Sequence, residues 1–227
     1  MKTVRVTDNL IQLDRAHFVN AFLVREPDGF TLVDTTLGGA AGDLIDAARK
    51  GGAEIRRVAL THGHSDHAGS LDALKEKLGD GVEVLLGELD ARIHAGESVV
   101  DGKLRGSWPK NVKTRPDTRL VGGERIGSLE VIPSPGHTPG HMAFLDTRDR
   151  TLIAGDTFTS YWRTDVPNRL VQPFPLAAMG TQDREQVVDA ARTLRRLDPA
   201  ILVVGHGPAV RAPAAAMDAA IARASRR

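Results

Sequence analysis

Positions 61 to 69 read Thr-His-Gly-His-Ser-Asp-His-Ala-Gly, placing His62, His64, Asp66 and His67 within six residues. The whole chain of 227 residues has only 8 histidines, so this density points to chemistry. Neutral imidazole nitrogen and carboxylate oxygen are donors that suit zinc, iron or manganese, and the stretch reads as a metal centre. In an extended segment, residues two apart point to the same side, which lets His62 and His64 reach one ion. Asp66 and His67 are neighbours and, on a turn, are better placed to serve a second ion nearby. Read instead as an ordinary polar loop, the stretch would use Asp66 as the N-cap of a helix starting near His67.

Further candidates follow downstream. In Ser134-Pro135-Gly136-His137-Thr138-Pro139-Gly140-His141, prolines and glycines fix a tight loop that presents His137. Gly155-Asp156 follows the apolar run 151–154, and Gly205-His206-Gly207-Pro208 follows the apolar run 201–204. Asp34 ends another β-prone run, 30–33.

The elements that must carry these residues can be read from periodicity. Residues 4–34 read as an antiparallel meander, with a turn signal at Glu26-Pro27-Asp28-Gly29. A helix is expected over 43–50, a short buried strand over 58–60, a helix over 67–78, a strand over 82–86 and a short helix over 88–94. Strands are expected at 119–121, 129–132, 142–145 and 151–154, then a helix over 183–197, a strand over 201–204 and an Ala-rich final helix. Segments 95–118 and 157–180 are irregular and hold Trp108, Tyr161, Trp162 and Phe174. Long irregular loops are usually functional or disordered, so 95–118 reads either as a flap over the site or as a solvated insertion. His94, at its start, reads as a surface histidine. The glycines at Leu37-Gly38-Gly39 lack the lysine and Ser/Thr pair of a phosphate-binding loop. Four strand ends deliver the candidate donors, and the layout implies two β layers with helices outside.

Composition narrows the classes. Hydrophobic residues make up 41% and charged residues 26%, ordinary values for a globular protein, and the net charge of +1 gives no argument for a nucleic-acid or membrane partner. The absence of cysteine excludes disulfides, zinc-thiolate sites and cysteine nucleophiles. The first eight residues lack the apolar core of a signal peptide, and no apolar run approaches the ~20 residues of a membrane span. A cytoplasmic location is expected.

With these residues in view, the sequence resembles the metallo-β-lactamase superfamily. The H-x-H-x-D-H motif falls on His62, His64, Asp66 and His67. The histidine of a Pro-Gly-His-Thr loop falls on His137, the aspartate after a strand on Asp156, and a histidine followed by glycine on His206. The resemblance spans nearly the whole chain. It implies an α/β (α+β) fold, a four-layer αββα sandwich, as one domain over 1–227. It further implies that His62, His64 and His137 hold one divalent ion, that Asp66, His67 and His206 hold another, and that Asp156 bridges them. Two such ions, zinc first and iron or manganese as alternatives, would share a water and lower its pKa to give a hydroxide nucleophile, which Asp66 would orient or deprotonate. Asp34 would support the site from behind. His141 would be either a supporting or a purely structural residue, Tyr161 a pocket wall rather than a carbonyl-polarising group, and Trp108 part of a substrate wall.

The bridging aspartate separates the chain from true β-lactamases and likens it to glyoxalase II and lactonases. Only 21 residues follow His206, so the glutathione-binding helical domain of typical glyoxalase II is not expected. The reading is a hydrolase of an ester, lactone or thioester. The alternatives are a mononuclear-iron sulfur dioxygenase acting on persulfides, β-lactam hydrolysis as a side activity, and a non-catalytic metal-binding protein. The expected partner is a small-molecule substrate, with no nucleic acid and no membrane, and a homodimer is the candidate assembly.

Overall fold

The fold is taken from a computed structural model that describes residues 1–226. Seven strands form the first sheet in chain order: β1 (Lys2–Arg5), β2 (Leu10–Arg15), β3 (Val19–Glu26), β4 (Gly29–Val33), β5 (Ile55–Ala59), β6 (Glu83–Gly87) and β7 (Thr118–Leu120). The first four pair antiparallel, the expected meander, and β4 to β7 pair parallel. Parallel neighbours need crossovers. These run through α1 (Ala41–Lys50), then α2 (Ser65–Ala68) and α3 (Leu71–Leu78), then α4 (Glu88–His94).

The second sheet contains β8 (Arg125–Ile126), β9 (Leu129–Pro133), β10 (Met142–Asp146), β11 (Thr151–Ile153), β12 (Ile201–Val203) and β13 (Val210–Arg211), ordered β13-β12-β11-β10-β9-β8. Only β11 and β12 pair parallel among these, and their crossover carries α5 (Leu176–Gly180) and α6 (Gln186–Arg196). The last helix is α7 (Ala214–Ala224).

Side-chain alternation sorts the apolar residues into three layers. Ala21 and Leu23 of β3 face α1 and α3, where they meet Leu44, Leu71 and Leu74. Their neighbours Phe22 and Val24 face the other sheet, meeting Val131, Phe144 and Val203. Beyond that sheet, Leu145, Leu152 and Leu202 pack on Val187, Leu194 and Met217 of α6 and α7. The order is therefore helix, sheet, sheet, helix, as expected. Phe22 and Phe144 are fully buried between the sheets, where truncation to alanine costs about 3–5 kcal/mol.

The helix expected over 67–78 is two helices. Gly69 N–H bonds to the Thr36 carbonyl (3.0 Å), while Ser70 Oγ donates to the Leu37 carbonyl (2.7 Å) and accepts from Ala40 N–H (2.8 Å). These contacts to the 36–40 loop break the helical run. The first of the two helices starts before His67, with His64 as its N-cap residue, so Asp66 sits in the first turn and is not a cap. Strands β8 and β13 and helix α5 were not expected, being too short to show a period. Among the described residues no helix is long and apolar enough to cross a membrane.

Candidate metal centre

Strand ends of both sheets converge on one point between them. β5 leads into His62, His64, Asp66 and His67, β9 into His137, β11 into Asp156 and β12 into His206. Three groups have donor atoms within 4.8 Å of one another: His62, His64 and His137; His62, His67 and Asp156; Asp66, His67 and His206. All seven sequence candidates are thus brought together. Asp156 lies between the histidine sets, its Oδ2 3.4 Å from His137 Nε2 and 3.1 Å from His206 Nε2, with Oδ1 3.5 Å from His67 Nε2.

Each histidine is oriented by its outer nitrogen. Thr61 Oγ1 donates to Asp34 Oδ2 (2.8 Å), so it accepts from His62 Nδ1 (3.0 Å), and His62 Nε2 is left pointing inward as a lone pair. His67 Nδ1 donates to Asp34 Oδ2 (2.8 Å) and His206 Nδ1 to the Phe18 carbonyl (2.6 Å). His64 Nε2 faces the Arg105 carbonyl (3.3 Å). His137 Nδ1 meets Thr181 Oγ1 (3.1 Å), whose own proton goes to the carbonyl of Pro167 or Ala177. The inner atoms then crowd together, His64 Nδ1 lying 3.1 Å from His137 Nε2 and His67 Nε2 3.4 Å from His206 Nε2. Outer partners that fix the tautomer and aim the other nitrogen are the arrangement metal-binding histidines use.

The donor set fits a divalent cation. His62 Nε2 and Asp156 Oδ1 are buried without a hydrogen-bond partner, and such atoms normally have one. Electrostatics divides the cluster. Burial, reinforced by the neighbouring imidazoles, pushes His62 well below its ordinary pKa, and burial takes His64 down to about 4. His137 is lowered by burial as well. Burial alone would also lower His67 and His206, but Asp156 foremost, with Asp66, lifts them to about 9 and about 10, and Asp34 adds to the lift on His67. Burial would raise Asp66, yet His67 and His206 hold it below the usual carboxylate range. Carboxylates that hold histidines cationic mark a place that favours positive charge.

The supporting residues separate by role. Asp34 is fully buried and serves both halves, through Thr61 to His62 and directly to His67. His141 stands behind the cluster: Ser134 Oγ lies at its Nδ1 (2.8 Å), and its Nε2 accepts the Asp156 N–H (3.0 Å). Burial lowers it to about 3, so it is neutral and able to accept. Tyr161 points its hydroxyl at the carbonyls of His17 (3.1 Å) and Phe18 (2.9 Å), and its ring lines a cavity of about 390 Å³ with Trp162 and Phe174. Trp162 is exposed, whereas Phe174 packs its ring 4.5 Å from that of His206. Within segment 95–118, residues 105–108 lie against the site as the flap reading expects, while much of the remainder is exposed as the insertion reading expects. Trp108 sits 4.9 Å from the His64 ring, and the Ser107 carbonyl accepts from Ser65 N–H (2.7 Å). His94 is not a surface residue, because its Nε2 donates to the Gly63 carbonyl (2.7 Å) and Trp108 packs on it.

Sequence reasoning missed Asp90, Thr181 and Asn20. Asn20 donates to the carbonyls of Val204 (2.9 Å) and Gly207 (2.8 Å) and so straps the His206 loop. None had a local signal. An acid in the first turn of a helix, as Asp90 is, is ordinary dipole complementation.

The chain belongs to the metallo-β-lactamase superfamily: the sequence profile of that superfamily matches residues 14–206. It is 38% identical over 213 residues to the uncharacterized protein YobT of Bacillus subtilis, covering 92% of this chain and 91% of that one. It is 29% identical over 179 residues to the hydroxyacylglutathione hydrolase GloC of Haemophilus influenzae, covering 75% and 77%. The crystal structure of TTHA1623 in a di-iron-bound form superposes with a TM-score of 0.66 at 26% identity, covering 89% of this chain and 94% of that one.

Proposed function

We propose that the protein is a dinuclear metal-dependent hydrolase of an ester, lactone or thioester. The observation that carries this reading is the shared aim of the inner donor atoms, with His62 Nε2 and Asp156 Oδ1 unpartnered among them. His62, His64 and His137 would hold one ion, Asp66, His67 and His206 the other, and Asp156 both. When bound, the ions would supply Lewis acidity toward the carbonyl and lower the pKa of water. The likeness to GloC, named for hydrolysis of a hydroxyacylglutathione, supports an acyl transfer to water.

The chain's own residues do the rest. Asp66 is ionised, and its side chain is 25% exposed, whereas those of His67, Asp156 and His206 are 3% or less. It is therefore placed to accept the proton of the attacking water on a carboxylate oxygen and pass it to the leaving oxygen or sulfur. Phe174 over His206 and Trp108 over His64 exclude bulk water from the two sides.

The test is turnover of zinc-, manganese- and iron-loaded protein on ester, lactone and thioester panels. Asp66→Asn is expected to cut kcat by roughly 10²–10⁴ while circular dichroism stays unchanged. Unchanged turnover in that variant would remove Asp66 from the mechanism. Oxygen consumption with a persulfide, and no hydrolysis, would replace the reading with a dioxygenase.

A further inference from the structure

Helix α4 contributes no donor to the cluster, yet it grips the loops that do. Asp90 is fully buried, and the groups that act on it are three hydrogen-bond donors and no cation. Its Oδ2 accepts from Gly63 N–H (2.8 Å) and Thr138 Oγ1 (2.7 Å), and its Oδ1 from Gly140 N–H (2.7 Å). Gly63 lies between His62 and His64, and Thr138 follows His137. One turn further along the same helix face, His94 Nε2 donates to the Gly63 carbonyl (2.7 Å). Both polar groups of Gly63 are thus held from one helix, Asp90 taking its N–H and His94 its carbonyl. Trp108 closes the arrangement, packing on the rings of both His64 and His94.

These contacts all fall on one half of the cluster. The His67 side is held by Asp34 and the His206 loop by Asn20 and Phe18. Among the described residues neither Asp90 nor His94 bonds to them. The 3.1 Å approach of His64 Nδ1 to His137 Nε2 joins residues 73 positions apart, and Asp90 spans the same two loops.

We propose that Asp90 and His94 form a positioning bracket that sets the affinity of His62, His64 and His137 for their ion, independently of Asp66, His67 and His206. The proposal rests on the metal reading above and not on the reaction assigned to it. A buried carboxylate with no cation beside it is a costly way to fasten two loops, since burial pushes Asp90 up to about 6 against the pull of its donors. What it provides is an acceptor with two oxygens, able to take one peptide N–H from each loop.

The test is zinc binding by competition with a chromogenic chelator, using the full chain. Asp90→Asn keeps the volume but turns one oxygen into a donor. Either orientation sets its NH₂ against a peptide N–H, of Gly63 or of Gly140. One of the two zinc-binding steps is expected to weaken 10–100-fold, as for other residues that orient metal-binding histidines, and the other to stay within about twofold. In a His206→Ala background, which retains the three-histidine half, Asp90→Asn should weaken the remaining step by the same factor. In a His64→Ala background it should have no effect. Thr138→Ala, a milder change that removes one donor, should act in the same direction by a smaller factor. Thermal unfolding of the metal-free variants reports any that fail to fold. Equal weakening of both steps would make Asp90 a general stability residue and overturn the proposal, as would unchanged binding or a wild-type chain that takes up no zinc. A protein that binds zinc but cleaves no ester, lactone or thioester defeats the functional reading alone.

Discussion

Asp34 is the carboxylate on which both halves of the cluster depend, and replacing it by asparagine has a worked consequence. Its Oδ1 accepts from Thr61 N–H (2.7 Å), and its Oδ2 from Thr61 Oγ1 (2.8 Å) and His67 Nδ1 (2.8 Å). An amide nitrogen in the Oδ1 place would meet the Thr61 peptide N–H, which cannot turn. In the Oδ2 place it meets a hydroxyl that can rotate and an imidazolium that can give up its Nδ1 proton, so this orientation is the cheaper one. His67, held cationic in the metal-free wild type partly by Asp34, then loses the Nδ1 proton and accepts there, keeping the proton on Nε2, the atom aimed at Asp156. Metal must displace that Nε2 proton, as in the wild type, and must also restore a proton to Nδ1 against the amide. Loss of such a partner lowers metal affinity about 10–100-fold, equivalent to about 1.4–2.7 kcal/mol. Folding stability also suffers, because one charge-assisted hydrogen bond is lost and another weakened, about 2–4 kcal/mol together. Chelator competition with zinc measures the first effect and thermal or urea unfolding of the metal-free protein the second. Asp34→Asn protein that binds zinc as tightly as wild type would show that the Asp34 acceptor at His67 Nδ1 does not set metal affinity, whatever its stability.

Other expectations follow from the same geometry. His67 and His206 are held at about 9 and about 10, so at pH 7 the metal-free protein keeps both protonated. Their contribution to its stability is full below about 6.5 and is lost as pH rises through 9 to 10. Metal loading at pH 7 should therefore release protons, up to two per chain, seen as a dependence of calorimetric heat on buffer ionisation enthalpy; no release would contradict the cationic half-site. Gly205→Ala would set a Cβ against Asp156 Oδ1 and 2.6 Å from His67 Cε1, both of them inner-cluster groups. That variant should fold yet lose most of its metal by elemental analysis, and full metal content would show that the loop can yield.

Much of this arrangement is legible in the chain because its signals are local. The H-x-H-x-D-H spacing marks the loop after β5, the Pro/Gly loop marks His137, and apolar runs just before Asp156 and His206 mark two more strand ends. Period-two and period-3.6 patterns gave the layers, since Phe22 and Leu23 must face opposite sides of β3. What could not be read was contact across sequence distance. Thr181 reaches His137 from 44 positions away, and the Phe18 carbonyl reaches His206 from 188. His94 read as a surface residue because nothing beside it shows that Gly63 and Trp108 will enclose it. The break between α2 and α3 escaped for the same reason, being made by a loop that precedes it by some 30 residues. Tyr161 was legible only as an aromatic, since the backbone carbonyls that occupy its hydroxyl lie in the turn between β2 and β3, more than 140 positions away.

Metal binding by the cluster around His62 and Asp156 underlies every expectation above, and elemental analysis of protein purified without chelators measures it. Two divalent transition-metal ions per chain are expected, present as isolated or after reconstitution. A chain that holds none after incubation with zinc, manganese and iron in turn would contradict that expectation.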